Sequence, residues 1–410
     1  MEKRRVVITG LGTINAIGHN VEQTWQSIQD GVCGIDEITN YDVNLTKVKL
    51  AAEVKDFDVT NFLDRKSARR MDRFTQFGLI AAKEAYHDAN LEDAIIDRDR
   101  FSVYVSSGIG GLGTIETDHS KALEKGYDRV SPFFVPMVIV NLAAGTIAIE
   151  LDARGMCTCP VTACAGGTNA IGDAYRSIKD GYSDIALAGG CEATITPLGV
   201  GGFASMKALN ETTDKSRASI PFDKQRAGFV MGEGAGMLVL EEYQHAMNRG
   251  AKIYGEIIGY GVSCDANHIT APLPDGSGGA KAMINAIQEA NIEANQIDYI
   301  NAHGTSTPLN DQCETSAIKI ALKEHAYQVA VSSTKSNMGH CLGAAGGIEA
   351  IVCIKAMQDS LIPATINYQE KDDNCDLDIV PNVNRKQDIQ ITMSNSLGFG
   401  GHNASILFKK

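Results

Sequence analysis

Short apolar runs rich in Val and Ile alternate along this chain with stretches whose apolar residues recur at helical spacing. The runs at 5–9, 101–106, 185–189, 236–241, 253–260, 299–302, 329–332 and 404–408 read as strands. The stretches at 21–29, 75–89, 279–290, 311–323 and 343–358 read as amphipathic helices. Strand–helix alternation predicts an α/β fold with mostly parallel sheets. One further apolar stretch, 133–149, contains Pro136, Asn141 and Gly145. It falls short of the about 20 residues that a membrane span needs, so it reads as a buried or interface helix.

The pattern repeats once. MGEGAGMLVLEE, from Met231, and FGGHNASILFKK, from Phe399, each run from a glycine turn into an apolar strand. Each half also carries a strand, a small-residue turn and a helix: PVTACAGGTNAIGDAYRSIKDG in the first, VSSTKSNMGHCLGAAGGIEAIVCIKAM in the second. Two copies of one α/β unit, 1–250 and 251–410, explain this.

Charge and composition narrow the function classes. The 410 residues carry 37 basic and 50 acidic side chains, a formal net charge of −13. A general nucleic-acid binder would show a basic footprint instead. The ten cysteines are irregularly spaced, as expected of reduced thiols in a cytoplasmic protein. Cys157, Cys159 and Cys164 lie close in sequence, but no second pair or histidine cluster completes a zinc pattern, so no metal is expected. The start, MEKRRVVITGLG, reads as a first strand rather than a signal peptide. Gly10 and Gly12 follow that strand, but Asn15 stands where a dinucleotide fingerprint needs its third glycine. Neither a G-x-S-x-G elbow nor a Walker A loop is present.

Three residues stand where α/β folds place chemistry, on loops leaving strands. Cys164 lies between a short apolar run and a helical stretch, so it sits at or near a helix N-terminus, where unpaired N–H groups favour a thiolate. His303 follows a strand in NAHGTSTP, and His340 follows another in SSTKSNMGH. His19, His87, His119, His245, His268, His325 and His402 read individually as ordinary surface or capping residues. The loop NSLGFGGHN around Phe399 can expose backbone N–H groups as an oxyanion hole, or act as a gate.

The order TAC, NAHGTSTP, SSTKSNMGH, NSLGFGGHN, with PLGVGGF at 197–203 and PFDKQRAGFVMGEGAG at 221–236, resembles the β-ketoacyl-acyl-carrier-protein synthases of the thiolase superfamily. The likeness is greatest to their elongating, type II branch, and runs from Val6 to the C-terminal strand. It implies two similar βα halves packed as a five-layered α-β-α-β-α body, usually as a homodimer, with 133–149 in the core and at the interface. It implies Cys164 as nucleophile, His303 and His340 as the paired histidines, Lys335 held by Glu349, and Phe399 as gate. The N–H groups of Cys164 and Phe399 would form the oxyanion hole. Thr305 and Thr307 would line the pantetheine arm, and Ile109, Phe203 and Gly400 would border the substrate. His402 stands where many relatives carry Thr, which bears on acyl preference rather than chemistry.

The implied reaction is decarboxylative condensation of malonyl carrier protein with an acyl-enzyme thioester, needing no metal, nicotinamide or other cofactor. A thiolase would need a second catalytic cysteine in the loop at 399–403, which has none. A polyketide-type ketosynthase and a non-catalytic chain-length partner subunit are the alternatives; the latter lacks a nucleophile. The implied partner, acyl carrier protein, is acidic like this chain, so docking needs a local basic patch. Lys66, Arg69, Arg70 and Arg73 fall at helical spacing and would share one face. Lys66, Arg69 and Arg70, with Lys207, are the expected carrier contacts.

Overall fold

The computed structural model describes residues 4–410. Ten strands form its frame. Those of the first half are Val6–Asn15 (β1), Phe101–Ser106 (β2), Cys157–Thr158 (β3), Ile185–Glu192 (β4) and Gly234–Glu242 (β5). Those of the second are Gly255–Cys264 (β6), Tyr299–Asn301 (β7), Ala330–Ser332 (β8), Ile391–Gly398 (β9) and His402–Lys409 (β10). Their hydrogen-bonded order is β8-β7-β9-β10-β6-β1-β5-β4-β2-β3. From the central β1·β6 pair outward, both sides read first, fifth, fourth, second, third strand. The repeat faint in the sequence is thus a shared topology.

The sheet is mixed, not mostly parallel. Five strand pairings are antiparallel and four are parallel. Strands joined through a crossover helix lie parallel, while β9 and β10 are joined by a tight turn at Gly400 and Gly401 and must lie antiparallel.

Six helices complete the layers: Arg73–Asp88 (α1), Leu142–Glu150 (α2), Gly166–Lys179 (α3), Ser277–Ala290 (α4), Pro308–Leu322 (α5) and Ala345–Asp359 (α6). Helices α1 and α2 cover one face of the first half-sheet, and α4 packs with α5 against the second. Between the half-sheets lie α3 and α6, touching each other and strands of both halves. The result is the five-layered α-β-α-β-α body of the thiolase-like fold. Small residues make the central layer possible. A Cβ on Gly167 would lie 2.9 Å from the Gly343 oxygen and the Gly347 nitrogen, so the two helix starts meet backbone to backbone. Central strands sandwiched this way are covered on both faces; every residue of β1 is buried, Thr9, Thr13 and Asn15 included.

The stretch 133–149 departs from its expected form. It makes two helices, Phe134–Val138 and α2, separated where Ile139 turns extended. Ala143, Ala144 and Ile147 enter the core, but Val135 is 61% and Ile149 83% exposed. Among the described residues, no helix is long and apolar enough to cross a membrane.

Candidate active site

Cys164 sits in a 3-10 turn, Ala163–Ala165, directly ahead of α3. Ala163 takes φ +50°, a left-handed conformation that side chains rarely adopt. The turn is pinned from both sides. The Thr162 hydroxyl donates to Asn169 Oδ1 at 2.6 Å, and Asn169 Nδ2 donates to the Tyr260 hydroxyl at 2.6 Å. From the other half, Gly398 presses on the same backbone. A Cβ there would lie 2.7 Å from the Thr162 oxygen and 3.4 Å from the Cys164 nitrogen. This contact lets the N–H groups of Phe399 and of Cys164 itself both reach the Cys164 sulfur.

The thiol departs from expectation. Burial pushes it up to about 12, with nearby Glu192 acting in the same direction, while Lys335 and the two N–H groups pull it down. The helix start alone would favour a thiolate, but at a site only 7% exposed the loss of water outweighs it. Burial thus favours a neutral thiol at Cys164.

The histidines arrive on loops from the second half. His303 follows β7, and its backbone is anchored by α5: Glu314 accepts the His303 N–H at 2.8 Å and the Gly304 N–H at 2.7 Å. His340 follows a short helix, Lys335–Met338. Phe229 packs edge-on to the His340 ring at 5.4 Å. Burial drives both imidazoles well below 6.5; Lys335 adds to this at both, and His340 at His303. Both rings are therefore neutral. Nδ1 of His303 and both ring nitrogens of His340 have no hydrogen-bond partner among the described residues. Lys335 forms a buried ion pair with Glu349.

Cys164, His303, His340 and Phe399 line one cavity of about 390 Å³, with Thr305, Thr307, Phe203 and Lys207. The Thr305 and Thr307 hydroxyls meet at 3.0 Å, and Phe203 faces Phe399 at 6.2 Å between ring centres. Lys335 and Glu349 stand outside this lining. Three placements differ from expectation. Ile109 is exposed and lies outside the cavity wall, its N–H drawn to Glu192. Gly400 also lies outside; its N–H is bonded to the Ile269 oxygen in the adjoining loop. The basic island is not one helical face. A four-residue helix, Arg65–Ala68, ends at Arg69, and Asp72 caps a separate helix that starts at Arg73. Arg73 turns inward to Glu233 at 2.7 Å, while Lys66, Arg69 and Arg70 stay exposed. Arg70 lies over the Phe133 ring at 4.7 Å.

Glu192, Glu314 and Phe229 were not singled out by sequence. Phe229 lies inside the quoted 221–236 motif, which was its signal. A lone acidic residue at a strand end or in a helix carries none.

The whole chain has recognised relatives. Residues 3–246 match the family model "Beta-ketoacyl synthase, N-terminal domain", and 254–369 match "Beta-ketoacyl synthase, C-terminal domain". A Synechocystis sp. protein, 3-oxoacyl-[acyl-carrier-protein] synthase 2, is 51% identical over 411 residues, covering 100% of this chain and 99% of the relative. The ishigamide ketosynthase/chain length factor superposes with a TM-score of 0.94 at 35% identity, covering 100% of this chain and 99% of that one. A type II polyketide-synthase acyl-carrier protein in complex with its ketosynthase bound to the hexaketide (AntDE:AntF) gives a TM-score of 0.92 at 33% identity, covering 99% of each chain. Both family models fall in order on the two halves that together build this cavity, and the chain belongs to the beta-ketoacyl synthase family.

Proposed function

We propose that this chain is a β-ketoacyl carrier-protein synthase that lengthens fatty acyl chains by two carbons through decarboxylative Claisen condensation. In the first half-reaction the Cys164 sulfur attacks an acyl thioester. Its proton passes to a neutral imidazole, and the N–H groups of Cys164 and Phe399 stabilise the tetrahedral oxyanion. The carbon–sulfur bond to the carrier breaks, the imidazolium returns the proton to the departing carrier thiolate and is neutral again, and the acyl group stays on Cys164.

In the second half-reaction a malonyl thioester loses CO₂, and the bonding pair becomes an enolate. A neutral imidazole carries one N–H, and His303 and His340 donate theirs to the enolate oxygen. The enolate carbon attacks the acyl-Cys164 carbonyl. The carbon–sulfur bond to Cys164 breaks, the β-ketoacyl carrier leaves, and the Cys164 thiolate takes a proton from solvent water. Lys335, paired to Glu349, keeps a positive charge behind the histidines. Thr305 and Thr307 hydrogen-bond the pantetheine arm, Phe203 walls the substrate, and Ile109 and Gly400 act through their loops. Neither a metal nor a nicotinamide enters these steps.

The observation that carries this reading is the meeting, in one cavity, of a buried thiol with two neutral imidazoles. The 51% identity to a 3-oxoacyl-[acyl-carrier-protein] synthase 2, against 35% to the ishigamide ketosynthase/chain length factor and 33% to the type II PKS ketosynthase complex, supports the fatty acyl substrate. The retained Cys164 argues against a non-catalytic chain-length subunit. Acyl carrier protein as partner is supported by the neighbour complexed with one. A homodimer is supported by Met156, 57% exposed, and Val161, 49% exposed, beside the edge strand β3. We place the chain in the cytoplasm and its domain boundary at 250/251.

Intact mass spectrometry after incubation with acyl carrier protein tests the proposal. An acyl adduct on the wild type that disappears in Cys164→Ala is expected. His303→Ala and His340→Ala should still acylate but lose malonyl decarboxylation by on the order of a hundredfold. Loss of acylation with retained decarboxylation would overturn these roles.

A further inference from the structure

The duplication gives the nucleophile turn a counterpart. In the first half Ala163, at φ +50°, leads through Cys164 into α3. In the second Leu342, at φ +47°, leads through Gly343 into α6. The two turns pack directly against each other. At Cys164 the freed N–H faces the sulfur and the reaction. At Gly343 the matching N–H is already taken. It donates to Oε2 of Glu192 at 3.1 Å, and the Gly108 N–H donates to the same oxygen at 2.6 Å. One oxygen between two backbone N–H groups is the arrangement that binds an oxyanion.

The other oxygen is also occupied. Oε1 accepts the Ser107 hydroxyl at 3.0 Å and the Ile109 N–H at 3.3 Å. Glu192 is wholly buried at 0% exposure. Burial pushes its carboxyl up and these donors pull it back. Three of the four contacts are backbone N–H groups, which can only donate and so favour the carboxylate form against the upward push of burial.

We propose that Glu192 is a positioning residue of the condensation: it fills the duplicate of the oxyanion hole, locks the Leu342–Ala344 turn against the Cys164 turn, and sets a fixed negative charge behind the nucleophile. The proposal rests on Cys164 being the acyl-carrying nucleophile. The charges that act on Cys164 are Glu192 and Lys335, with neutral His303 and His340 across the cavity. Glu192 thus adds to burial in holding the thiol neutral between turnovers, against the pull of Lys335. Through Gly343 it also keeps the Cys164 N–H aimed at the substrate oxygen.

Glu192→Gln preserves shape and removes the charge. Two readouts test it. The first is kcat and KM for condensation; kcat should fall roughly tenfold, with KM for both carriers unchanged, as expected for a misaimed oxyanion donor. The second is alkylation of Cys164 by iodoacetate relative to iodoacetamide. Removing a buried anion favours the negative reagent, so the rate ratio should rise several-fold. A cavity that had merely loosened would speed both reagents alike. An unchanged ratio, or an unchanged kcat, overturns the proposal. If Glu192→Gln does not fold, Ser107→Ala, which removes one donor and keeps the charge, decides. A fall in kcat of about threefold at constant KM supports the role, and an unaltered kcat overturns it. Acylation of the wild type is measured alongside. Its absence would overturn the reading of Cys164 itself, independently of Glu192.

Discussion

The imidazole rings of His303 and His340 lie 5.1 Å apart with their planes at 87°. Burial out of water holds both rings neutral, and nearby Lys335 adds to this. A group whose affinity for protons is depressed by folding destabilises the fold in acid. The unfolded chain takes up protons near 6.5 that the folded chain refuses, so stability falls as pH drops through 6.5. Each ring contributes up to about 1.4 kcal/mol per pH unit. Glu84 and Glu314, pushed up to about 7 by burial, act in the opposite direction. The measurement is therefore a difference. Between pH 6.5 and 5 the urea midpoint of the wild type should fall more steeply than that of His303→Gln/His340→Gln. Equal slopes would mean that the rings titrate normally in the folded chain.

Gly398 sets how closely the turn at Phe399 approaches the Cys164 turn. A Cβ at this position would stand 2.7 Å from the Thr162 oxygen, so Gly398→Ala must push the two backbones apart. The Phe399 N–H then leaves the oxyanion site. A loss of kcat on the order of a hundredfold is expected, with the circular-dichroism spectrum unchanged. An alanine variant of normal kcat would remove the Phe399 N–H from the mechanism.

Lys335 and Glu349 are 2% and 3% exposed. Deleting one partner strands the other, and Glu349→Ala should cost about 3–5 kcal/mol in denaturant unfolding. Replacing both, Lys335→Met/Glu349→Leu, removes the stranded charge. Stability should largely return while decarboxylation stays impaired. Recovery of activity along with stability would make the pair purely structural.

Lys207 lines the cavity that holds Cys164, and Lys66, Arg69 and Arg70 are exposed on a chain of net charge −13. Reversing Lys66, Arg69 and Arg70 to Glu should raise KM for carrier-bound substrate about tenfold. It should also flatten the salt dependence, since exposed pairs are screened over about 8–10 Å at ordinary ionic strength. Turnover of a small pantetheine thioester should survive. Equal loss on both substrates would assign the patch to folding or assembly.

The legible part of this protein was local. Apolar runs and helical spacings marked the strands and helices, because burial on both faces of a sheet demands continuous apolar sequence. Cys164, His303 and His340 were legible because each stands in a run of small or polar residues at the end of a strand, where a packed element would carry bulk. Tertiary structure decided the rest. The basic island split because Asp72 could cap a new helix and Arg73 found Glu233, 160 residues away in sequence. The palindromic strand order required β1 and β6 to pair. The thiol at Cys164 rose instead of falling because desolvation depends on what surrounds the sulfur in space, and the helix start is only one neighbour. Glu192 carries no local mark. Its importance comes from Gly108 and Gly343, brought to it from two other segments. Sequence determines which backbone shapes and chemistries are available at each position. Which charges meet, and how dry they are when they meet, depends on long-range packing, because electrostatic energy is set by distance and burial rather than by order along the chain.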